Sequence, residues 1–426
     1  MTNTDYDPLD LIGVGFGPSN LALAIALQES QSPISARFLE ARPQFAWHPG
    51  MMIPGADMQI SFLKDLVSQR NPQSAFTFVN YLHSKGRLTR FLNRKTFFPS
   101  RTEFNDYLAW AAGQLEVCDY DQRVVGIEAV GQGSTVREID VITQTAQGAQ
   151  SRHRARNLVI APGGRPRYPD VFAAHRNDPR LTHSNDYMKC VVGDLRPNMR
   201  IAIIGGGQSG AEIFADLADR PEASKVDLIL RSRALRPSDD SPFVNEIFDP
   251  NQIDQFHGLS EAPRRAALRE LMTTNYSVVD EDLIQQIYDM LYEQSVQGHD
   301  RLSVEAQMSP LDLTPSEAGM QLTLDGITGT QTRVYDHIIL ATGYTRLVDE
   351  TMLHGINQFC TGECPGRDYR LPMTDAFLPS IFVQGYSEPT HGLSDTLLSV
   401  LALRSQEIVD AVSTRVLAQK TAHAAE

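Results

Sequence analysis

A chain of 426 residues exceeds what one ordinary hydrophobic core serves, and it predicts two or three domains. Hydrophobic residues make up 42% and charged residues 21%, the balance of a globular protein able to bury a large interior. The formal net charge of −14 argues against a nucleic-acid partner, because phosphate backbones are met by clustered Lys and Arg.

The first predicted element is a strand, turn and helix. Residues 10–12 open an apolar run suited to a buried parallel strand, glycines follow at Gly13, Gly15 and Gly17, and residues 21–27 read as helix. Such a turn brings backbone N–H groups and a helix N-terminus against a pyrophosphate. Pro18 stands where the standard spacing has its third glycine. Residues 34–40 read as a second strand that ends in Glu40, 27 positions after Gly13 (40 minus 13). That lies somewhat beyond the usual ~20 at which an acid accepts ribose hydroxyls, and ribose contact remains the favoured reading.

Residues 45–70 combine Trp47 and His48 with Met51, Met52 and a run from Met58 to Leu66 that includes Gln59 and Lys64. Met, aromatic and polar residues in this mixture suit the wall of a pocket, and equally ordinary core. Residues 76–110 turn helical, with Phe104, Tyr107, Leu108 and Ala111 at spacings of three and four after Pro99-Ser-Arg101. Residues 124–141 predict a meander. Residues 157–160 form an apolar strand that stops at Ala161-Pro-Gly163, and the same shape recurs as residues 337–340 followed by Ala341-Thr342-Gly343. Two such strand ends flanking a separate nucleotide signature predict a chain that leaves one domain and returns to it.

The separate signature is fuller than the first. Residues 200–204 read as a strand, Gly205-Gly-Gly207-Gln208-Ser209-Gly210 supplies all three glycines, and residues 211–218 continue as helix. The next strand, residues 226–230, ends in Arg231-Ser-Arg233, where a ribose-binding acid would otherwise stand; arginine there favours the 2′-phosphate of NADP over NAD. Residues 238–299 shift to polar loops and helices that carry Asn245 and Asn275, amides suited to amines or ribose hydroxyls and equally to helix caps. The last elements are Thr390-His391-Gly392-Leu393-Ser394-Asp395 and an apolar helix over 396–411. Ser394 lacks a Gly-x-Ser-x-Gly elbow, so a hydrolase triad is discounted.

Four cysteines, Cys118, Cys190, Cys360 and Cys364, form no disulfide framework, and with no second Cys or His pair at zinc spacing they predict no metal site. No apolar run approaches the ~18 residues that cross a bilayer, and the first twelve residues lack the pattern of a signal peptide. A cytoplasmic protein without a membrane span is expected. The fold class expected is α/β, with two Rossmann-like dinucleotide-binding domains and a small, mainly helical substrate-binding region. Residues 1–168 and 337–426 would bind FAD, residues 169–240 and 300–336 NADPH, and residues 241–299 the substrate. Two dinucleotides imply hydride transfer across a cleft. A disulfide reductase would need a redox Cys pair close to the flavin in the first or second domain, and Cys118 and Cys190 are far apart with no close partner. That leaves oxygen chemistry, in which reduced flavin adds dioxygen at C4a and the hydroperoxide gives one oxygen atom to a nucleophile.

The chain resembles the flavin-dependent N-hydroxylating monooxygenases of siderophore biosynthesis, the ornithine N5- and lysine N6-monooxygenases, over nearly its whole length. The resemblance is carried by Gly13-Val-Gly-Phe-Gly-Pro-Ser-Asn20, Met58-Gln-Ile-Ser-Phe-Leu-Lys-Asp-Leu66, Arg70-Asn-Pro72, Phe98-Pro-Ser-Arg-Thr-Glu-Phe104, the stretch from Gly205 to Glu212, Asp240-Ser-Pro-Phe-Val-Asn-Glu-Ile-Phe248, Asn275-Tyr276, Ala341-Thr-Gly343 and Thr390-His-Gly-Leu-Ser394. It implies that Lys64 pairs with the substrate carboxylate, that Asn245 meets the α-amino group, and that Asn275 and Ser399 lie near the terminal amine. Gln59 would lie at the flavin, with Gln59 and Asn275 as the catalytic candidates. Arg101, Gln208, Ser209, Arg231 and Tyr276 would contact NADP, and Trp47, His48, Thr342, Gly343 and Leu393 would complete the cofactor contacts. The resemblance also implies O2 as cosubstrate, NADP+ that stays bound after reducing the flavin, and a homotetramer.

An alkyl amine titrates near ~10.4, so little of it is neutral at pH 7, and only the neutral lone pair attacks the peroxide oxygen. Neutral amides around the nitrogen would favour that form by withholding a counter-ion. L-ornithine is the expected substrate, because residues 240–248 and Asn275-Tyr276 look closer to the ornithine branch. L-lysine, putrescine, a plain NADPH-dependent flavin oxidoreductase and a non-catalytic nucleotide-binding protein are the alternatives.

Overall fold

Strand Leu11–Val14 is buried along its whole length, as a parallel strand covered on both faces requires. A computed structural model describes residues 7–31, 33–132 and 134–424 and places this strand at the centre of a five-stranded parallel sheet. Its neighbours are Asn157–Ile160 and Ala36–Leu39, with Ser380–Val383 and Cys118–Asp119 at the edges. Alternate side chains serve opposite faces. Leu11, Phe38, Val159 and Phe382 pack under the helices Pro18–Glu29, Arg101–Ala112 and Leu401–Ala424. Ile12, Val14, Leu158 and Ile160 pack instead on an antiparallel meander, Arg123–Gln132, Thr135–Gln144 and Gln150–Ala155.

The second sheet repeats this plan. Met199–Ile204 is central, between Ala223–Leu230 and His337–Leu340, with Leu302–Ala306 and Leu181–His183 outermost, all parallel. Ile201, Ile203, Leu228 and Ile339 meet the helix Gln208–Ala218, while Ala202, Ile204, Ile229 and Ile338 meet the meander Ser309–Ser316, Gly319–Gly326 and Gly329–Tyr335. The fold is thus α/β with two dinucleotide-type units.

Two boundaries differ from the sequence reading. His337–Leu340, expected to begin the return into the first unit, instead pairs with Met199–Ile204 inside the second, where its four residues are all buried and complete that sheet in register Ile201 with His337. The return falls just after it, where Tyr344–Thr345 pairs antiparallel with Arg165–Pro166 of the outgoing segment. Helix Glu281–Val296, expected in the substrate region, buries Ile287 in the second unit's core against Gln208–Ala218. The shorter helices Pro242–Asn245, Asn251–Gly258 and Glu261–Leu271 remain outside both sheets. The final helix begins at Leu401 rather than 396, after the 3-10 turns Leu393–Thr396 and Leu398–Val400. No described helix is long and apolar enough to cross a membrane.

Candidate active site

The first glycine turn follows from close packing. Gly15 has φ +82°, and a Cβ there would lie 2.7 Å from the Ala161 carbonyl oxygen, so only glycine fits. Gly13 lies against the Phe38 ring. Gly17 is the N-cap of Pro18–Glu29, with Pro18 in the first turn, and a Cβ on Gly17 would meet nothing within 4 Å. That open side, at a helix N-terminus, is a cradle fit for a pyrophosphate. Glu40 sits at its edge, its carboxylate accepting from the Phe16 N–H at 2.8 Å and the Arg42 N–H at 2.9 Å.

The turn is braced from below by a fully buried residue that the motif does not announce. Asn20 donates through Nδ2 to the Val14 and Gly15 carbonyls at 3.1 and 2.7 Å. Its Oδ1 accepts from Gln384 Nε2 at 2.9 Å, and Gln384 Oε1 in turn accepts from Arg404 Nε at 3.2 Å. Arg404, only 2% exposed, pairs with the equally buried Asp395 at 3.0 Å and donates to Ser19 Oγ at 3.1 Å. Asp395 also accepts from the Ser387 N–H at 2.7 Å. His391 is stacked on Tyr369, with ring centroids 4.2 Å apart, and both its nitrogens are used, by Thr390 Oγ1 and the Arg367 carbonyl. Burial pushes it down to about 4. These residues are structural braces and form no triad with Ser394.

In the second turn Gly210 stands three residues after the N-cap, the place that Asn20 holds in the first. A Cβ on Gly210 would lie 2.2 Å from the Gly205 carbonyl oxygen, so glycine is what lets helix Gln208–Ala218 close on its turn. Gly207 is the helix N-cap and meets only ordinary contacts from Ser277; Ser209 is half-buried in the first turn. Arg231 follows the strand Ala223–Leu230 directly, is exposed, and has no ion pair among the described residues. It is therefore free to meet an anion.

One hydrogen-bond chain joins the two units. Gln59 Nε2 donates to Asp280 Oδ1 at 2.9 Å, and Gln208 Nε2 donates to Asp280 Oδ2 at 3.0 Å and to Glu212 Oε1 at 3.1 Å. The Asp280 N–H returns a bond to Gln208 Oε1 at 2.9 Å. Glu212 then takes Arg101 bidentately, at 2.7 and 2.8 Å, and Arg101 also donates to the Met51 carbonyl at 3.0 Å. Arg101 opens a helix capped by Ser100, whose Oγ accepts from the Glu103 N–H. Burial raises the Asp280 carboxyl, with the Glu212 charge acting in the same direction.

The other expected cofactor residues have partners of their own. His48 has left-handed backbone, φ 46°, and burial, followed by the Arg101 and Arg346 charges, pushes its ring down to about 4. The Trp47 backbone N–H donates to Asn105 Oδ1 at 3.0 Å, and the indole lies edge-on to Phe104. Thr342 Oγ1 donates to the Arg167 carbonyl at 2.5 Å, and the Gly343 carbonyl accepts from the Arg167 N–H at 3.0 Å, so this pair ties the two connecting segments together. Tyr276 donates its hydroxyl to Glu388 and lies 3.4 Å from Thr396 Oγ1; burial first, then the Glu388 bond, pushes it up to about 12. Leu393 is buried and lines an apolar cavity with Phe256, Leu268 and Leu271.

The four expected substrate residues lie on four separate segments and are not bonded to one another among the described residues. Lys64 is half-buried, without an ion pair among the described residues. Asn245 spends its Nδ2 on the Asp240 carbonyl at 2.7 Å. Asn275 closes the 3-10 turn Met272–Thr274, and Ser399 is buried in Leu398–Val400. The contacts near them are between neighbouring elements: the turn Glu246–Phe248 packs on Leu393–Thr396, Tyr276 reaches Thr396, and Gln59 reaches Asp280. Sequence reasoning missed Asn20, Glu212, Asp280, Gln384 and Arg404. The lone Arg404 within an apolar run was the one visible signal.

Comparison with known proteins agrees with this architecture. Residues 7–346 match the family model described as L-lysine 6-monooxygenase/L-ornithine 5-monooxygenase. An L-ornithine N(5)-monooxygenase of Pseudomonas aeruginosa is 45% identical over 411 residues, covering 94% of this chain and 92% of the relative. The solved ornithine hydroxylase of Pseudomonas aeruginosa superposes with a TM-score of 0.93 at 44% identity, covering 96% of this chain and all of that one. A Kutzneria ornithine N-hydroxylase, solved with reduced FAD, NADP+ and L-ornithine, superposes at 0.91 with 37% identity and the same coverage.

Proposed function

The chain belongs to the L-lysine 6-monooxygenase/L-ornithine 5-monooxygenase family, and we propose that it hydroxylates the side-chain nitrogen of L-ornithine, using FAD, NADPH and O2. The observation that carries this reading is the single carboxylate of Asp280, which joins the segment of Gln59 to the helix of the second glycine turn and so brings two dinucleotide cradles to one junction. Ornithine as the substrate is supported by the names of the relatives, which match along nearly the whole chain.

FAD fits the first cradle, where Gly15 and Gly17 admit a pyrophosphate and Glu40 a ribose; NADPH fits the second, where Arg231 can meet a 2′-phosphate. Bound flavin, once reduced by NADPH, supplies the activation of dioxygen. The protein's part is positioning. Lys64, with no protein counter-ion among the described residues, takes the substrate carboxylate. Asn245 takes the α-amino group. Asn275 and Ser399 flank the terminal nitrogen with neutral groups, and withholding a carboxylate there keeps more of the amine unprotonated. Gln59 faces the flavin, while Trp47, His48 and Leu393 wall the site. His48 is held neutral and adds no charge.

We assign the product to a hydroxamate siderophore or related natural product and expect a cytoplasmic homotetramer, on the strength of the family resemblance. The deciding measurement is hydroxylamine formation with ornithine, lysine and putrescine under matched conditions. Ornithine should dominate in kcat/KM. One methylene alters binding by only ~1 to 3 kcal/mol, so some lysine turnover is compatible, whereas a preference for lysine or the diamine sinks the assignment.

A further inference from the structure

We propose that Asp280 is a positioning residue that sets Gln59 on the flavin side and Gln208 on the NADP side at the same time, coupling the two cofactor sites through one carboxylate. The inference rests on the FAD and NADPH assignment above.

Asp280 occupies the N-cap of the 16-residue helix Glu281–Val296, a place where Asp ordinarily turns its carboxylate to the first helical N–H groups. Here it makes no such cap bond. Both oxygens are turned outward, Oδ1 to Gln59 and Oδ2 to Gln208, at 2.9 and 3.0 Å. The diversion costs the helix its cap, so it calls for a use elsewhere.

The use lies in what the carboxylate does to the two amides. A glutamine amide has two ends of opposite polarity, and either could face a ligand unless something fixes it. Gln208 is gripped at both ends by the same residue: its Nε2 donates to Asp280 Oδ2 and its Oε1 accepts from the Asp280 N–H at 2.9 Å. Its second N–H goes to Glu212 Oε1, and Glu212 is itself clamped by Arg101. Both amide hydrogens of Gln208 are therefore committed to protein. Gln208 then serves NADP by fixing the first turn of its helix, rather than by donating from its amide to the cofactor. On the other side, the bond to Asp280 fixes Nε2 as the inward end of Gln59, and so presents Oε1 as the end toward the ligand. Arg101, in the first unit, completes the chain back from Glu212, so four segments far apart in sequence share one arrangement.

The test is Asp280→Asn in the FAD-loaded enzyme. An asparagine can accept from one of the two amides through Oδ1, but its Nδ2 then faces another N–H donor, so one glutamine must turn or withdraw. NADP+ binding to the oxidised flavoprotein, followed by the flavin absorbance change, should weaken about tenfold. The fraction of NADPH oxidation that ends as hydrogen peroxide should rise several-fold with ornithine present, while the KM for ornithine changes less than twofold. Combining Asp280→Asn with Gln208→Ala should weaken NADP+ no further than either change alone. If Asp280→Asn fails to retain FAD, Asp280→Ser replaces it, since serine restores an N-cap but cannot reach both amides. NADP+ affinity and peroxide release at wild-type values in a folded, FAD-loaded variant would overturn the proposal. The NADP+ titration uses no amine, so a wrong substrate leaves it intact. Wild-type protein that binds neither FAD nor NADP+ would instead refute the cofactor assignment.

Discussion

Lys64 and Arg231 are two cations that have no ion pair among the described residues, and each is expected to meet an anion of a ligand. Charge-assisted bonds contribute roughly 1.5 to 3 kcal/mol, and each ~1.4 kcal/mol is tenfold in affinity. Lys64→Ala should therefore raise the KM for ornithine by about ten- to a hundredfold and leave the KM for NADPH alone; an unchanged ornithine KM removes Lys64 from the site. Arg231→Ala should raise the KM for NADPH roughly tenfold while NADH, which has no 2′-phosphate, is used as before. Steady-state kinetics with both nucleotides separates these outcomes. The sequence singles out both residues, Arg231 by its place after a strand and Lys64 through the family resemblance, and these kinetics decide their roles. Asp280 and Glu212 were not singled out. Their meaning comes from partners 221 and 111 positions away, Gln59 and Arg101, and nothing local distinguishes Asp280 from an ordinary helix cap.

At the scale of elements, the two glycine-turn helices are fixed by different devices and should fail differently. Helix Gln208–Ala218 depends on contact with its own turn. Gly210→Ala would press a methyl onto the Gly205 carbonyl, and the enzyme should keep its flavin colour while losing most of its bleaching by NADPH. Helix Pro18–Glu29 depends instead on the buried relay Asn20, Gln384, Arg404 and Asp395. Removing one partner of a buried ion pair costs ~3 to 5 kcal/mol, because the other charge is stranded. Arg404→Met should lower the unfolding free energy in urea by about that amount and release FAD on gel filtration; retained FAD with unchanged stability would show that the relay is dispensable. The glycine spacings made both helices readable in advance. The placement of His337–Leu340 and Glu281–Val296 was not readable, since an apolar strand or an amphipathic helix does not specify which of two similar cores it completes.

The whole molecule is two alike units, each a parallel sheet between helices and a meander, joined by a pair of connecting segments that hydrogen-bond to each other. Building two such interiors has buried several histidines with no counter-charge strong enough to keep them protonated. Burial pushes His48, His337 and His391 down to about 4, and it lowers His183 as well. In the unfolded chain these rings take a proton near ~6.5. Between pH 6.5 and about 4 the unfolded state therefore binds protons that the folded state refuses, so stability is complete above 6.5 and is lost as the pH falls through that window. At pH 5 His337 and His391, the two fully buried residues among those pushed down to about 4, should each remove on the order of 2 kcal/mol. Buried Asp65 and half-buried Asp280 and Glu388 act the other way: desolvation raises their carboxyls, so protonation relieves a cost as the pH falls through their folded values. The histidines should dominate between pH 7 and pH 5, because their window lies nearer neutrality. The guanidinium unfolding midpoint should fall between those two pH values, and His337→Gln should make the fall shallower. A midpoint that is flat or rises on acidification would mean that the carboxyls outweigh the rings.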